Sequence, residues 1–365
     1  MQDSLSLVEQ ACQGIKPVRT PIFDLLANDA VIEHFAGEPL DGNNDETIVT
    51  KAAASALDAT RCIAPPNRQA RTWIDAAGNT RISDRWTSWL QTPAYADVEG
   101  WACWMKRYIE QEDADCGSPS LIQLDLTEHE FDDDRASALR DKQFDLNRTL
   151  GGTVPIFCTP STSLNALIYY IGLEMLSFMW MDFRDICRYW IKLYRRKTIH
   201  YIRMHGHRQT SPLAMIYCDI AYKNGLMLSQ AMLRDMDFFT ELQEVGDVCH
   251  EAGLYVIFHS DGNMMDLLDD VVATGMDGLN PIEKAAGMDI YEIRRRYPRL
   301  ILVGGVDVTN LLRTGSCLEI RSQTRNLIEK VGAEGRFLIG SSTEVGNDVP
   351  LNNYLAFHNE VLGVS

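Results

Sequence analysis

A histidine and a carboxylate two residues apart, His259 and Asp261, close the apolar run 254–258 and open a turn through Gly262 and Asn263. In extended chain, residues i and i+2 point the same way, so imidazole and carboxylate can converge on one ligand. Such a pair acts as a proton donor with its orienting base, or as two ligands of one metal ion. Other apolar runs also end in polar residues. Run 213–218 ends in Asp219, 277–279 leads into Asn280, Pro281 and Glu283, 300–306 into Asp307, and 336–340 into Ser341, Ser342, Thr343 and Glu344. The expected catalytic groups are therefore His259, Asp261, Asp219 and Glu283, with His259 and Asp261 doubling as metal ligands. Asn280, Asp307, Thr343 and Glu344 are the expected substrate-binding groups. Competing structural readings are plain: Asp307 can cap the next helix, as can Thr309 or Asn310, and Glu283 can be an N-terminal helix charge. His205 and His207 have ligand-like spacing but follow Arg203 in a basic stretch, which reads as a solvated loop.

The elements that must position these groups are legible from residue 151 onward. Runs at 153–159, 213–219, 254–259, 277–280, 300–307 and 336–341 are rich in Val, Ile, Leu and Phe and are bounded by turn residues. Helical stretches such as 229–252 and 264–274 lie between them. Continuous apolar runs alternating with helices predict a parallel sheet covered by helices. Runs 121–126 and 60–64 bring the strands to eight, hence a closed barrel whose chemistry sits at the C-terminal strand ends. An open doubly wound sheet would carry a glycine-rich phosphate loop after its first strand. Gly151-Gly152 precedes its strand, and Gly304-Gly305 is too short for that fingerprint. The fold class is thus α/β, a single (β/α)8 TIM barrel with an N-terminal helical and hairpin extension. Residues 1–365 form one domain on this reading, 1–120 holding the extension and first barrel elements and 121–365 the remainder. The extension reads as helices at 23–35 and 46–57 and a hairpin, 71–75 turning at 77–79 into 80–83. Trp73, Trp86 and Trp89 are expected to form a small core beneath it.

Charge and composition narrow the partners. The 365 residues carry 34 Lys+Arg against 51 Asp+Glu, a net charge of −17 that repels nucleic acid and anionic membrane surfaces. Polyanionic small substrates are disfavoured unless arginines cluster locally. The nine cysteines are widely spaced with no Cys-x-x-Cys, which fits buried thiols in a reducing cytoplasm and no disulfide framework. No basic-then-apolar leader opens the sequence, so a cytoplasmic location is expected. The longest apolar stretch, 166–181, is broken by Glu174 and falls short of the roughly 20 residues a bilayer needs. It reads as a buried helix.

The ordered motifs resemble those of the uroporphyrinogen decarboxylase superfamily. They are Asp219 with Tyr222-Lys223-Asn224-Gly225 and Leu228-Ser229; His259-Ser260-Asp261-Gly262-Asn263; Glu283 with Gly287-Met288-Asp289; Gly304-Gly305-Val306-Asp307; and Asp348-Val349-Pro350-Leu351-Asn352-Asn353. The resemblance runs from about Gly151 to the C-terminus, and more weakly through Arg19-Thr20-Pro21 and Phe35-Ala36-Gly37. It implies the same (β/α)8 barrel. The decarboxylases carry an Arg-Gln-Ala-Gly-Arg motif that holds the porphyrinogen carboxylates; aligned on Pro21, its arginine positions fall near Leu26 and Ala30, so haem biosynthesis is not expected. The other branch, corrinoid-dependent methyltransferases, holds zinc with a His-x-Cys pair and a later Cys. The matching positions are His259, Asp261 and approximately Thr343, with oxygen in place of both sulfurs.

The function expected from this resemblance is methyl transfer from a small O- or N-methylated donor to a corrinoid protein. The corrinoid sits on a separate partner, because no Asp-x-His-x-x-Gly motif occurs here. Zinc is the metal the resemblance implies, and the oxygen ligands leave its binding open. A decarboxylase of a smaller acid is the alternative, with Asp219 as charge partner and Arg19 or Arg203 as the clamp. A barrel that binds a ligand without turnover is the third reading. The Trp-rich extension either covers the barrel mouth or forms a subunit contact, so a homodimer is allowed.

Overall fold

The computed structural model describes residues 3–61, 64–115 and 149–364. Eight parallel strands follow one another around a ring: β1 (Ile22 and Phe23), β2 (Ala59–Thr60), β3 (Val154–Pro155 continuing as Phe157–Cys158), β4 (Leu213–Tyr217), β5 (Tyr255–His259), β6 (Gly278–Asn280), β7 (Ile301–Val306) and β8 (Phe337–Ser341). From β3 to β8 they form one continuous six-stranded sheet. β2 pairs with β3 through Ala59 and Val154, and two isolated bridges close the ring: Phe23 with Ala59, and Ile22 with Ile339. The fold is a (β/α)8 barrel.

Side-chain parity explains what the ring encloses. Alternate residues of the strands, Leu213 and Met215, Ile257, Ile301 and Val303, and Leu338, pack together inside with Phe23, Ala59 and Val154. Val8, Ala11 and Cys12 of helix Ser4–Gln13 join that cluster and fill the barrel's N-terminal end. The intervening residues, among them Ala214, Ile216, Val256, Phe258, Leu302 and Ile339, face the surrounding helices in a second, larger core. Counting two on from Met215 and Ile257 places Tyr217 and His259 inside, at the C-terminal mouth.

Closure depends on one glycine. A Cβ on Gly340 of β8 would overlap the carbonyl oxygen of Phe23, so only glycine lets β1 lie this close. Just beyond the ring, Leu26–Ala27 pairs in parallel with Val345–Gly346, and the Asn28 amide donates to the carbonyls of Gly346 and Val349.

Several expectations need correction. Residues 22 and 23 are barrel strand, and helix Asp29–Ala36 starts only after Asn28, whose Oδ1 caps Val31 N at 3.0 Å. Pairing with β2 and β8 overrides the helical pattern of 23–35. The second strand ends at Thr60 rather than extending to 64, and run 121–126 lies outside the described residues. The helix expected at 46–57 is Asp45–Ala56. Stretch 229–252 divides into Gln230–Asp235 and Phe238–Glu251 at Asp237, whose φ is 56°. Stretch 166–181 forms two buried-faced helices, Ser163–Ile171 and Leu173–Asp182, bent by 109° at Gly172. No single helix among the described residues is long and apolar enough to cross a membrane.

The hairpin at 71–83 extends into a three-stranded antiparallel sheet, Arg71–Ile74, Thr80–Asp84 and Thr87–Thr92. The three tryptophans do not share a core: Trp89 is exposed, while Trp86 donates to Asp29 at 2.8 Å. A buried ion pair anchors the sheet instead. Arg81 Nε meets Asp75 at 2.6 Å, its guanidinium lies 3.4 Å above the Tyr169 ring, and Asn79 donates to the Tyr170 carbonyl at 2.8 Å. Seven described cysteines are thiols, four of them buried.

Candidate active site

His259 ends β5 pointing into the mouth and is 6% exposed. Its orientation and tautomer follow from Asn280, the last residue of β6. Asn280 Nδ2 donates to the Val303 carbonyl at 3.2 Å, which turns Oδ1 toward His259. Oδ1 lies 2.6 Å from Nδ1, so Nδ1 carries the hydrogen and Nε2 presents a lone pair. Nε2 faces Asp219 Oδ1 at 3.7 Å and Asp261 Oδ1 at 4.0 Å, both beyond hydrogen-bond reach. Burial and the nearby Arg61 charge push His259 down to about 4, against the pull of Asn280 and Asp219. The ring is neutral near pH 7.

Asp261 behaves oppositely. Burial, reinforced by Asp219, Glu283 and Glu344, raises its carboxyl to about 7. The side chain is open along one edge, but Oδ1 is sealed from solvent and has no hydrogen-bond partner. Its backbone N–H donates to Asp219 Oδ1 at 3.2 Å, and the next N–H, of Gly262, donates to Glu283 at 3.1 Å. Gly262 has φ of 87°, and a Cβ there would lie 2.5 Å from the Ala221 carbonyl carbon, so this turn requires glycine. The turn thereby fixes Asp219 and Glu283 on either side of Asp261.

One ligand atom from each of Asp219, His259 and Asp261 fits within a sphere of contacts no wider than 4.8 Å, a spacing that can hold a metal ion. The unpartnered Asp261 Oδ1 and the unbonded Nε2 are the atoms a cation would satisfy. One imidazole nitrogen with two carboxylate oxygens is a harder set than one built on thiolates.

The remaining expected residues divide. Asn280, Thr343 and Glu344 line a narrow cleft with His259, Arg61 and Phe23, and Thr343 Oγ1 donates to Glu344 at 2.7 Å. Asp307 sits elsewhere: its carboxylate accepts from Asn310 N at 2.9 Å and Nδ2 at 3.0 Å, capping the π-helical turn Val308–Leu312. Asp307 lines a separate cavity with Met288 and Leu311. His205 stacks on Tyr201, and His207 Nδ1 accepts from Gln209 N at 3.1 Å.

Three residues at the mouth escaped the sequence reading. Arg61, just past β2, brings Nη1 to 3.4 Å from His259 Nδ1 and lies 5.2 Å over the Tyr217 ring. Tyr217 packs against His259, with ring centres 5.2 Å apart, and its hydroxyl meets Cys158 Sγ at 2.9 Å. Tyr217 and Cys158 end runs that were recognised as strands, so the pattern of polar strand ends would have found them. Arg19, by contrast, is spent on Asp58 at the opposite end of β2, through Nη2 to Oδ1 at 2.7 Å.

Comparison with known proteins agrees with this architecture. The family model described as Uroporphyrinogen decarboxylase (URO-D) matches residues 211–363, which hold β4 through β8 and the histidine turn. Over that span the chain is similar to this family. Among solved structures, a methyltransferase from Methanosarcina mazei superposes with a TM-score of 0.66 at 14% identity, covering 100% of this chain and 99% of that one. A fructose-1,6-biphosphate aldolase assignment from Coccidioides immitis reaches a TM-score of only 0.22 at 13% identity, over 64% of this chain and 91% of that one, and bears no weight. No curated protein sequence matches.

Proposed function

We propose that the chain is a methyltransferase or demethylase that moves a methyl group from a small O- or N-methylated donor to a corrinoid held by a separate protein. The observation that carries this reading is the neutral His259 whose Nε2 lone pair faces Asp219 and Asp261, at 3.7 and 4.0 Å, at the mouth of the barrel. The full-length likeness to a methyltransferase supports it.

The chemistry needs help at the leaving atom. As the methyl passes to cobalt(I), the C–O or C–N bond breaks with its electron pair on the heteroatom, which then takes a proton. A divalent cation held by Asp219, His259 and Asp261 would act as a Lewis acid at that atom. This chain's own groups also suffice for the proton: a carboxyl raised to about 7, as Asp261 is, remains partly protonated at neutral pH and can deliver it. His259, lowered to about 4, is the acceptor or ligand of the pair and not the acid. Glu283 holds the turn through Gly262 N, and Asn280 sets the His259 tautomer. Thr343 and Glu344 bound the donor's side of the cleft. Asp307 takes no part, because its carboxylate is occupied as a cap.

The carboxy-lyase alternative has one weakness at Asp219, whose side chain is 51% exposed and so stabilises a developing cation poorly. The test is methyl transfer from a panel of methoxylated and N-methylated compounds to cob(I)alamin and to reduced corrinoid proteins. Transfer that falls at least a hundred-fold in His259→Ala and Asp261→Asn is expected. Release of carbon dioxide from any acid in the panel, with no methyl transfer, overturns the proposal.

A further inference from the structure

We propose that Arg61 receives the carboxylate of the substrate, so that the donor is a small monocarboxylic acid with its anionic end on the Arg61 side of the His259 ring and its methylated end on the Nε2 side. The methylated end rests on the methyl-transfer reading; the carboxylate end rests on the geometry of Arg61 alone.

Arg61 is a half-buried guanidinium without a carboxylate partner among the described residues. Among the described residues no carboxylate lies within ion-pairing distance of it, whereas several other arginines are engaged. Arg81 is paired with Asp75, Arg68 with Asp45, Arg19 with Asp58, and Arg294 donates to four backbone carbonyls. The approach of Arg61 to His259 Nδ1 at 3.4 Å is donor against donor, because that nitrogen's hydrogen points to Asn280. Tyr217, whose ring centre lies 5.2 Å away and whose side chain takes one hydrogen bond from it, holds the guanidinium in place. A planar fork left open at the rim of a cleft suits a carboxylate, which accepts two parallel hydrogen bonds from it.

The surrounding charges give the direction. Asp219 and Asp261 stand at Nε2, and Glu283 lies behind them on Gly262 N. An anion is repelled from that half of the mouth and attracted to the other. Glu344 also lines the cleft but is engaged by Thr343 Oγ1 at 2.7 Å. Phe23, Leu25 and Pro281 supply apolar wall to the cleft that Arg61 and His259 line. One arginine balances one carboxylate, in keeping with a chain whose net charge of −17 disfavours polyanions.

Binding, measured without any corrinoid, separates this proposal from the reaction. Methoxyacetate and the three methoxybenzoates are titrated calorimetrically into the purified protein, each beside its neutral amide, with Arg61→Gln and Arg61→Lys as variants checked for folding by circular dichroism. At least one acid should bind ten-fold or more tightly than its amide. Arg61→Gln should abolish that preference while leaving amide binding unchanged, and Arg61→Lys should retain part of it. The proposal fails if no acid outbinds its amide, if the preference survives in folded Arg61→Gln, or if millimolar phosphate displaces the acids as readily as they displace one another. An Arg61-dependent preference with no methyl transfer would leave Arg61 in place and sink the reaction; methyl transfer from neutral donors, unaffected in Arg61→Gln, would do the reverse.

Discussion

Asn280 decides which nitrogen of His259 is basic. With its amide turned by the Val303 carbonyl, Oδ1 takes the Nδ1 hydrogen at 2.6 Å and leaves Nε2 as the free lone pair at the barrel mouth. Replacing the neutral partner with a charged one should therefore reverse the suppression of His259. In Asn280→Asp, a titration of the ring carbons by NMR should place the imidazole at least one unit above about 4, equivalent to about 1.4 kcal/mol of extra preference for the protonated ring. An unmoved titration would mean that residue 280 does not govern the tautomer.

Metal content is the second check. Untagged protein grown with manganese, cobalt and zinc salts should retain close to one divalent ion per chain by elemental analysis. His259→Ala and Asp261→Asn should each lower that occupancy at least ten-fold, since each removes one of three ligands within 4.8 Å. Asp219→Asn should lower it less, because that carboxylate is already half in water. Zinc retained equally by all four proteins would exclude this site.

A buried carboxyl far from the mouth predicts how stability varies with pH. Glu241 is fully buried where it caps Ser163, accepting from its N–H at 2.8 Å, and burial raises it from 4.5 to about 7 despite those bonds. The folded state keeps a proton there that the unfolded chain gives up, so this contribution is complete below pH 4.5 and is lost as pH climbs to about 7. Glu241→Gln keeps the shape without the ionisation. It should be more stable than the parent at pH 8, by up to about 3 kcal/mol, and no more stable at pH 4. Urea unfolding at the two values measures the difference.

Gly340→Ala should open the ring. The added methyl would occupy the place of the Phe23 carbonyl oxygen, at the seam where Ile22 bridges Ile339 and Asp24 accepts from Ser341 N. A loss of at least about 3 kcal/mol is expected, with amide exchange accelerated first at residues 22–24 and 339–341. A variant of unchanged stability would show that the seam yields without cost.

Much of this arrangement was legible because barrel strands are buried on both faces and therefore read as long apolar runs. β4, β5, β7 and β8 announce themselves that way, and the polar residue ending β5 is His259. Strand β1 has two residues and no periodicity, so nothing local distinguishes it from the start of the following helix; its identity comes from partners at 59 and 339. Arg61 was missed for the same reason, since the strand it follows is equally short. Nothing in the sequence pairs Arg81 with Asp75, because the ring and the carbonyl of Tyr169 that hold Arg81 lie 88 positions away. Asp307 illustrates the converse: a carboxylate after a strand is as readily a helix cap as a reagent, and Asn310 decided the matter.

The seam between first and last strands also sets a timetable for synthesis. Asp24 is bound by Ser341, 317 positions later, and the cleft takes one wall from Phe23 and another from Thr343 and Glu344. A ribosome that has delivered seven strands has delivered Asp219, His259 and Asp261 but not the wall facing them. Until residue 344 has been made, the cleft lacks the wall that Thr343 and Glu344 supply.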